Sequence, residues 1–357
     1  MAHGPEIPVF ILFGPTASGK TALLGRLFGN AAGFAVEGLG RFNGAEIISA
    51  DSMQVYRGMD IGTAKPTLPE RAGIPHHLID IKDPNEQFNA GDFVRLAEDA
   101  CVAAAGRGAL PVVSGGTGFY LKNLALGLPE APPSDAGLRR ALREELAAKG
   151  ASSLMEELAA ADPVSAGRIH VNDEYRLLRA LEVCRLSGRP LSSFASPWSA
   201  GSREALRSNG NGQSALSREA RGKGLFRFRL VGLRRPREEL YRRINERTSA
   251  MFRAGLPEEV RRLYDKGYTP DDPGLRAIGY REFFVRDGDG PWRLSEDLAG
   301  VEALVAMNSR RYAKRQLVFF ESLPGVAWID CGPENESNPE LWRSIGGLSF
   351  DPRPAFA

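Results

Sequence analysis

Eight residues near the N-terminus, Gly14-Pro15-Thr16-Ala17-Ser18-Gly19-Lys20-Thr21, fit the pattern G-x-x-x-x-G-K-[ST]. Glycines let backbone N–H groups converge on phosphate oxygens, and the dipole of a helix that follows adds positive potential there. Lys20 would reach the terminal phosphate and the Thr21 hydroxyl would hold Mg²⁺. At average residue frequencies a chain of this length shows the pattern by chance roughly once in a hundred times. The segment therefore reads as a site for a di- or triphosphate, and a purely structural strand–helix turn is the lesser reading. No N-K-x-D follows to read guanine. The loop alone does not tell a phosphate that is transferred from one that departs.

A second candidate is Asp51, an acid that follows the apolar Ile47-Ile48 after Ser49-Ala50 and starts DSMQVYRGMDIGTAKP. At the carboxyl end of a core strand it should face the phosphate loop. An outer ligand of Mg²⁺ and a general base near the substrate are both open to it, beside a structural cap. Gly115-Gly116-Thr117 offers flexible backbone and a hydroxyl at the end of another apolar run. His76-His77 with Asp80 is too local a set for a metal and reads as a structural loop. His170, beside Asn172-Asp173, reads as structural rather than catalytic, and Cys101, Cys184 and Cys331 as small hydrophobes.

These groups need elements to hold them. Val9–Phe13, Glu46–Ala50 and Leu110–Ser114 are short apolar runs ending in polar or glycine-rich loops. Helix-compatible segments follow each of them: Thr21–Phe28, a piece after Gln54, and Phe119–Leu124. Ala90–Ala105 adds an amphipathic helix. Buried strands alternating with helices predict an α/β fold, a P-loop NTPase-like parallel sheet flanked by helices, with ligands at the carboxyl ends of the strands. From Ser134 to Ser187 only helical patterns occur, with a cap at Ser134 and stops at Gly150 and Gly188, which predicts an all-helical insertion. A strand returns at Phe226–Leu233, basic helices follow over Arg237–Gly267 and Glu296–Phe320, and Val326–Asp330 closes the sheet. The expected organisation is a discontinuous core, 1–126 and 225–330, around a helical insertion at 127–198. A flexible loop at 199–224 and a tail at 331–357 complete it, with a further idle loop at 31–44.

The chain has 357 residues, 43% hydrophobic and 25% charged, which is ordinary globular composition. No run of about 18 apolar residues exists, so no membrane span is expected. Three scattered cysteines and no cationic leader suit a reducing cytoplasm. Residues 139–320 carry 34 Lys+Arg against 24 Asp+Glu, a net +10, while 1–138 and 321–357 are each −4. Such a basic stretch suits a polyanionic partner.

Taken together, GPTASGKT, DSMQVYRGMDIGTAKP, PHHLIDI, VVSGGTGFYLKNLALG, NDEYRLLRALEV, LRAIGYRE and AKRQ resemble the tRNA dimethylallyltransferase (tRNA isopentenyltransferase) family of bacterial type, in the family's order from Gly14 to Gln316. The resemblance implies transfer of a dimethylallyl group from its diphosphate to N6 of the adenosine just 3′ to the tRNA anticodon. The loop Gly14–Thr21 would then hold the departing diphosphate, with Mg²⁺ at Thr21, and Asp51 would match the family's general base. Thr117 would contact the diphosphate or the reacting adenosine, and Arg247 of RRINERT would clamp the diphosphate. Ser52, Met53 and Gln54 match positions bordering the target base. Arg139, the stretch Tyr175, Arg176, Leu177, Leu178, Arg179, and the stretch Arg276, Ala277, Ile278, Gly279, Tyr280, Arg281 match tRNA-contacting positions. The partners implied are dimethylallyl diphosphate and the anticodon stem-loop of tRNA, acted on by a monomer. The target base would leave its stack to reach an enclosed channel. One departure is Val318-Phe319, where the family carries Thr-Trp. Three rivals share some of these features: an ATP-dependent small-molecule kinase, an isopentenyltransferase of free adenine nucleotides, and a nucleotide-dependent RNA-binding module without chemistry.

Overall fold

The computed structural model describes residues 6–29, 33–36, 39–129, 131–194 and 225–332, with the backbone of 348–349. The expected loop at 199–224 lies outside them. The chain divides into two compact units, residues 1–125 with 205–357, and residues 126–204.

The first unit is organised by a six-stranded sheet. Its strands are Ile7–Phe13 (β1), Gly44–Ser49 (β4), His76–His77 (β5), Ala109–Gly115 (β6), Phe226–Arg234 (β7) and Val326–Asp330 (β10). Their order is β10-β7-β1-β6-β4-β5 and all pairings are parallel. Val9 to Phe13 are fully buried, as expected of a central parallel strand covered on both faces. Phe10 and Leu12 pack on Leu23, Leu24 and Leu27 of helix α1 (Lys20–Phe28), and Phe13 packs on Phe320 at 4.8 Å. Truncating such a buried ring costs about 3–5 kcal/mol. Helix α3 (Ala90–Gly106) starts at a capping box of Asn89 and Asp92 and buries Phe93, Ala97, Cys101 and Ala104 at helical spacing.

Two parts of the expected picture change. Segment 31–44 is not an idle loop: Phe34–Val36 (β2) and Gly40–Phe42 (β3) pair antiparallel, with Leu348–Ser349 (β11) on the other edge of β2. Phe34 and Val36 are buried beside Leu27 and Phe28, which gives this hairpin a share of the core. The helix expected after Gln54 does not form there; the next one, α2, is only Leu68–Gly73. The chain between them runs in turns pinned by Lys65, whose Nζ donates to Tyr56 O (2.8 Å), Asp60 Oδ1 (2.6 Å) and Asp80 Oδ1 (2.5 Å).

Gly118–Leu126 (α4) follows β6, and the late helices are Arg237–Arg253 (α8), Leu256–Asp265 (α9) and Leu298–Glu321 (α10). Between α9 and α10 lies a two-stranded hairpin, Phe284–Val285 (β8) with Arg293–Leu294 (β9). The late helices and this hairpin share a second core with the turns after β4, built on Val55, Met59, Val260, Tyr280, Phe283 and Val305.

The second unit is helical. Ala136–Ala161 (α5) is broken at Gly150, whose φ of 78° is left-handed, so the expected stop is a sharp bend between two helical pieces. Pro163–Ala166 (α6) and Glu174–Ser187 (α7) complete it around Leu142, Leu154, Leu158 and Leu181. Asp135, not Ser134, caps α5; the Ser134 hydroxyl instead donates to Glu182 at 2.6 Å. Among the described residues no helix is long and apolar enough to cross a membrane.

Candidate active site

The carboxyl ends of β1, β4 and β6 deliver the three chemistry-bearing stretches to one edge of the sheet, where open parallel sheets bind ligands. Between β1 and α1 the loop 14–19 turns through left-handed Ala17 (φ 62°) and Gly19 (φ 97°). Two arginines hold it from outside: Arg243 Nε donates to Ala17 O (3.0 Å) and Arg235 Nε to Ser18 O (2.9 Å). Because a trans peptide points its N–H opposite its C=O, anchoring Ser18 O turns the Gly19 amide the other way, and Gly19 lines the cleft. Thr16 N–H donates to Gln316 Oε1 (2.9 Å), and Gln316 Nε2 donates to Gly116 O (2.7 Å), so α10 ties the loop to the end of β6. The pair Gly115-Gly116 has a steric reason. A Cβ on Gly115 would lie 2.1 Å from Ala50 O, and one on Gly116 2.5 Å from Gln316 Nε2.

A cleft of about 840 Å³ opens over this loop, lined by Thr16 to Thr21, Gln54, Gly116 and Arg243 among others. A second compartment of about 240 Å³ is lined by Ser52, Met53, Ile244, Met251, Ile278 and Val305 among others. Thr16, Asp51, Thr63, Arg247 and Tyr312 belong to both, so Asp51 stands where the two cavities meet. Its Oδ1 accepts from Met53 N–H (2.9 Å), which fixes the carboxylate against its own turn.

Charge is concentrated at this junction. Lys20 Nζ folds back to donate to Gly14 O (2.8 Å) and Pro15 O (2.9 Å). Burial, reinforced by repulsion from Arg247 and opposed by Asp51, lowers the Lys20 ammonium to about 7. Burial also lowers Arg247, again against the pull of Asp51. Tyr312 is raised to about 12, by burial first and by Asp51 second. One carboxylate, Asp51, thus sits beside two buried basic groups, Lys20 and Arg247. The arrangement can grip a polyphosphate on one side and take a proton from a group lodged on the other.

The expected site residues divide by location. Thr16, Ala17, Ser18, Gly19, Lys20 and Thr21 line the large cleft, whereas Gly14 and Pro15 lie beneath the loop and hold Lys20 by their carbonyls. Arg247 lines both cavities. Ser52 and Met53 border the small compartment and Gln54 the large one; Gln54 also accepts from Ser49 Oγ at 2.9 Å. Thr117 is not among the residues lining either cavity. Its hydroxyl accepts from Ser52 N–H (3.0 Å) and donates to Ser52 Oγ (3.3 Å), so it supports the Asp51 turn from behind.

The residues matched to RNA contact also separate. In the helical unit Tyr175 and Arg176 are exposed, with Arg176 paired to Asp173 at 3.1 Å. Leu177 and Leu178 are buried in that unit's core, so contact with RNA does not run through their side chains. Arg139 (3.3 Å) and Arg179 (2.7 Å) both bind the fully buried Glu182, and Arg139 also stacks over the Tyr175 ring. In the first unit Arg276 and Arg281 are exposed, and Ile278 and Gly279 line the small compartment together with the backbone of buried Ala277. Tyr280 is fully buried and faces the core rather than a ligand. Asp80 pairs with Lys65 and Arg71, His77 with Glu46, and His76 Nδ1 meets Ile74 O. His170 Nδ1 accepts from Asn172 N–H at 3.2 Å. Phe319, in the place of the family's Trp, covers Gly118 and lies under Lys122 Nζ at 5.5 Å.

Sequence reasoning missed Arg235, Arg243, Tyr312 and the role of Gln316. Gln316 ends the AKRQ motif, so the signal was present without a partner to explain it. Arg243 lay hidden among many arginines of a basic helix, and Arg235 in the short connection before it.

The sequence model of the family described as IPP transferase matches residues 54–323. The chain is 40% identical over 327 residues to a tRNA dimethylallyltransferase of Geobacter sulfurreducens, covering 92% of this chain and 93% of that one. It is 43% identical over 344 residues to one of Geobacillus thermodenitrificans, covering 95% and 96%. The crystal structure of a tRNA isopentenylpyrophosphate transferase from Bacillus halodurans superimposes with a TM-score of 0.57 at 33% identity, covering 96% of both chains. With the phosphate loop, the acid at the end of β4 and this likeness along nearly the whole length, the chain belongs to the IPP transferase family.

Proposed function

We propose that this chain transfers a dimethylallyl group from dimethylallyl diphosphate to N6 of the adenosine 3′ to the anticodon of tRNA, releasing diphosphate. The observation that carries the reading is the position of Asp51 at the junction of the phosphate-loop cleft with the smaller compartment. The diphosphate lies on the loop amides, Lys20 and Arg247, and the target base occupies the smaller compartment. The C1–O bond to the diphosphate breaks as the N6–C1 bond forms. The exocyclic amine is a poor nucleophile because its lone pair is delocalised, and Asp51 accepts the proton it loses. The negative charge that develops on the leaving oxygens meets the preorganised loop amides, Lys20 and Arg247.

Mg²⁺ suits this site by the chemistry of its donors. The Thr21 hydroxyl stands on the first turn of α1 at the cleft, and no cluster of three or more His, Cys, Asp or Glu able to cage a metal occurs among the described residues. A cation held by Thr21 and the substrate's own phosphate oxygens matches the habit of Mg²⁺, which keeps few protein ligands. When bound it would neutralise charge on the diphosphate. Exposed Arg276 and Arg281, and Tyr175 and Arg176 of the helical unit, supply RNA contacts. The kinase and free-nucleotide readings draw no support from the relatives.

The test is to incubate the protein with undermodified tRNA, labelled dimethylallyl diphosphate and Mg²⁺, then digest to nucleosides. Label in N6-modified adenosine is expected. Label on free adenine nucleotides but not in tRNA would overturn the reading.

A further inference from the structure

Glu259 is a carboxylate enclosed where charge is costly: it sits in the first turn of α9 and is 2% exposed. Its oxygens accept from three consecutive backbone amides, Asp60 (3.0 Å), Ile61 (2.9 Å) and Gly62 (3.2 Å). They also accept from the Tyr280 hydroxyl at 2.6 Å. Burial and the adjacent carboxylate push the Tyr280 phenol well above its ordinary value, so it keeps the proton it donates.

These partners belong to two loops. The first gives Gly62 and Thr63 to the smaller compartment, and the second gives Ala277, Ile278 and Gly279. The loops press together: a Cβ on Gly62 would lie 2.5 Å from the Tyr280 ring, and one on Gly279 3.6 Å from Gly62 O. Glu259 itself lines neither cavity, and its partners Asp60, Ile61, Gly62 and Tyr280 do not line the large cleft. Its direct partners therefore reach the smaller compartment, and Thr63, next in the chain to Gly62, is shared by the two cavities.

We infer that Glu259, through Tyr280 and the amides of 60–62, is a positioning residue that sets the shape of the smaller compartment and with it the hold on the RNA base. The inference rests on the reading above that this compartment receives the base. A carboxylate does this better than a neutral group because it accepts four hydrogen bonds at once, and bonds to a charged acceptor are the strong ones. Loss of one such bond loosens both walls without touching the phosphate loop.

The experiment is steady-state kinetics of the full chain, wild type, Glu259→Gln and Tyr280→Phe, with tRNA and dimethylallyl diphosphate varied in turn. Tyr280→Phe keeps the ring over Gly62 and removes only the hydroxyl. We expect KM for tRNA to rise about tenfold in Glu259→Gln and by a smaller factor in Tyr280→Phe, with KM for the diphosphate within about twofold of wild type. Equal rises in both KM values, or an unmoved KM for tRNA with only the active fraction reduced, would overturn the inference. If Glu259→Gln does not accumulate folded, Tyr280→Phe decides by the same outcomes. A wild type that leaves tRNA unlabelled overturns the functional reading and the inference with it, whereas an active wild type with unmoved variants overturns the inference alone.

Discussion

The two cavities meeting at Asp51 draw on the chain in different ways. The large cleft is floored by seven successive residues, Thr16 to Ala22, from one strand–loop–helix unit, to which distant residues such as Gln54, Arg243 and Gln316 add walls. The smaller compartment gathers Ser52, Gly62, Ile244, Ile278 and Val305 from stretches far apart, held by contacts such as Gly62 N–H to Glu259, 197 residues away. A phosphate is recognised by main-chain geometry that a short motif can encode. A base is recognised by shape, which only packed tertiary structure can provide. The two halves should therefore fail separately.

Asp51→Asn strikes where they join and should show the largest effect. Turnover is expected to fall about 10³-fold, with tRNA affinity in a filter-binding assay nearly unchanged. A parallel loss of affinity would move Asp51 from chemistry to binding. Lys20→Ala addresses the cleft alone: kcat/KM for dimethylallyl diphosphate should drop about 10²-fold, and tRNA binding should hold. Met251→Trp addresses the compartment alone. By filling space it should raise KM for tRNA roughly tenfold while inhibition by pyrophosphate stays as in wild type.

The smallest effect expected is one of pH. Burial and Arg247 bring free Lys20 to about 7, so above that pH the free site has lost a proton that the bound diphosphate restores. Pyrophosphate inhibition should weaken by about fivefold between pH 7 and pH 8, and not at all well below pH 7. The dependence, corrected for the titration of pyrophosphate itself, should vanish in Lys20→Met. A flat profile in wild type would show that Lys20 stays charged throughout.

What could be read in advance follows the same division. GPTASGKT, the acid after Ile47-Ile48 and the stop at Gly150 rest on local rules of turn and period, and the parallel sheet rests on runs such as Val9–Phe13. The hairpin of Phe34–Val36 and Gly40–Phe42 escaped because three-residue strands carry too little period to register. Glu259 escaped because an acid in a helix's first turn already has an explanation in the helix dipole. Leu177 and Tyr280 sit inside motifs whose neighbours face outward, and only packing separates the two directions. Nor are all 34 basic residues of 139–320 free positive surface, since Arg139 and Arg179 pair with Glu182 and Arg185 with Glu145 and Glu157.

The bond from Thr16 to Gln316 spans 300 positions. During synthesis the phosphate loop leaves the ribosome 300 residues ahead of the glutamine that steadies it, so the cradle lacks this brace until Gln316 has emerged.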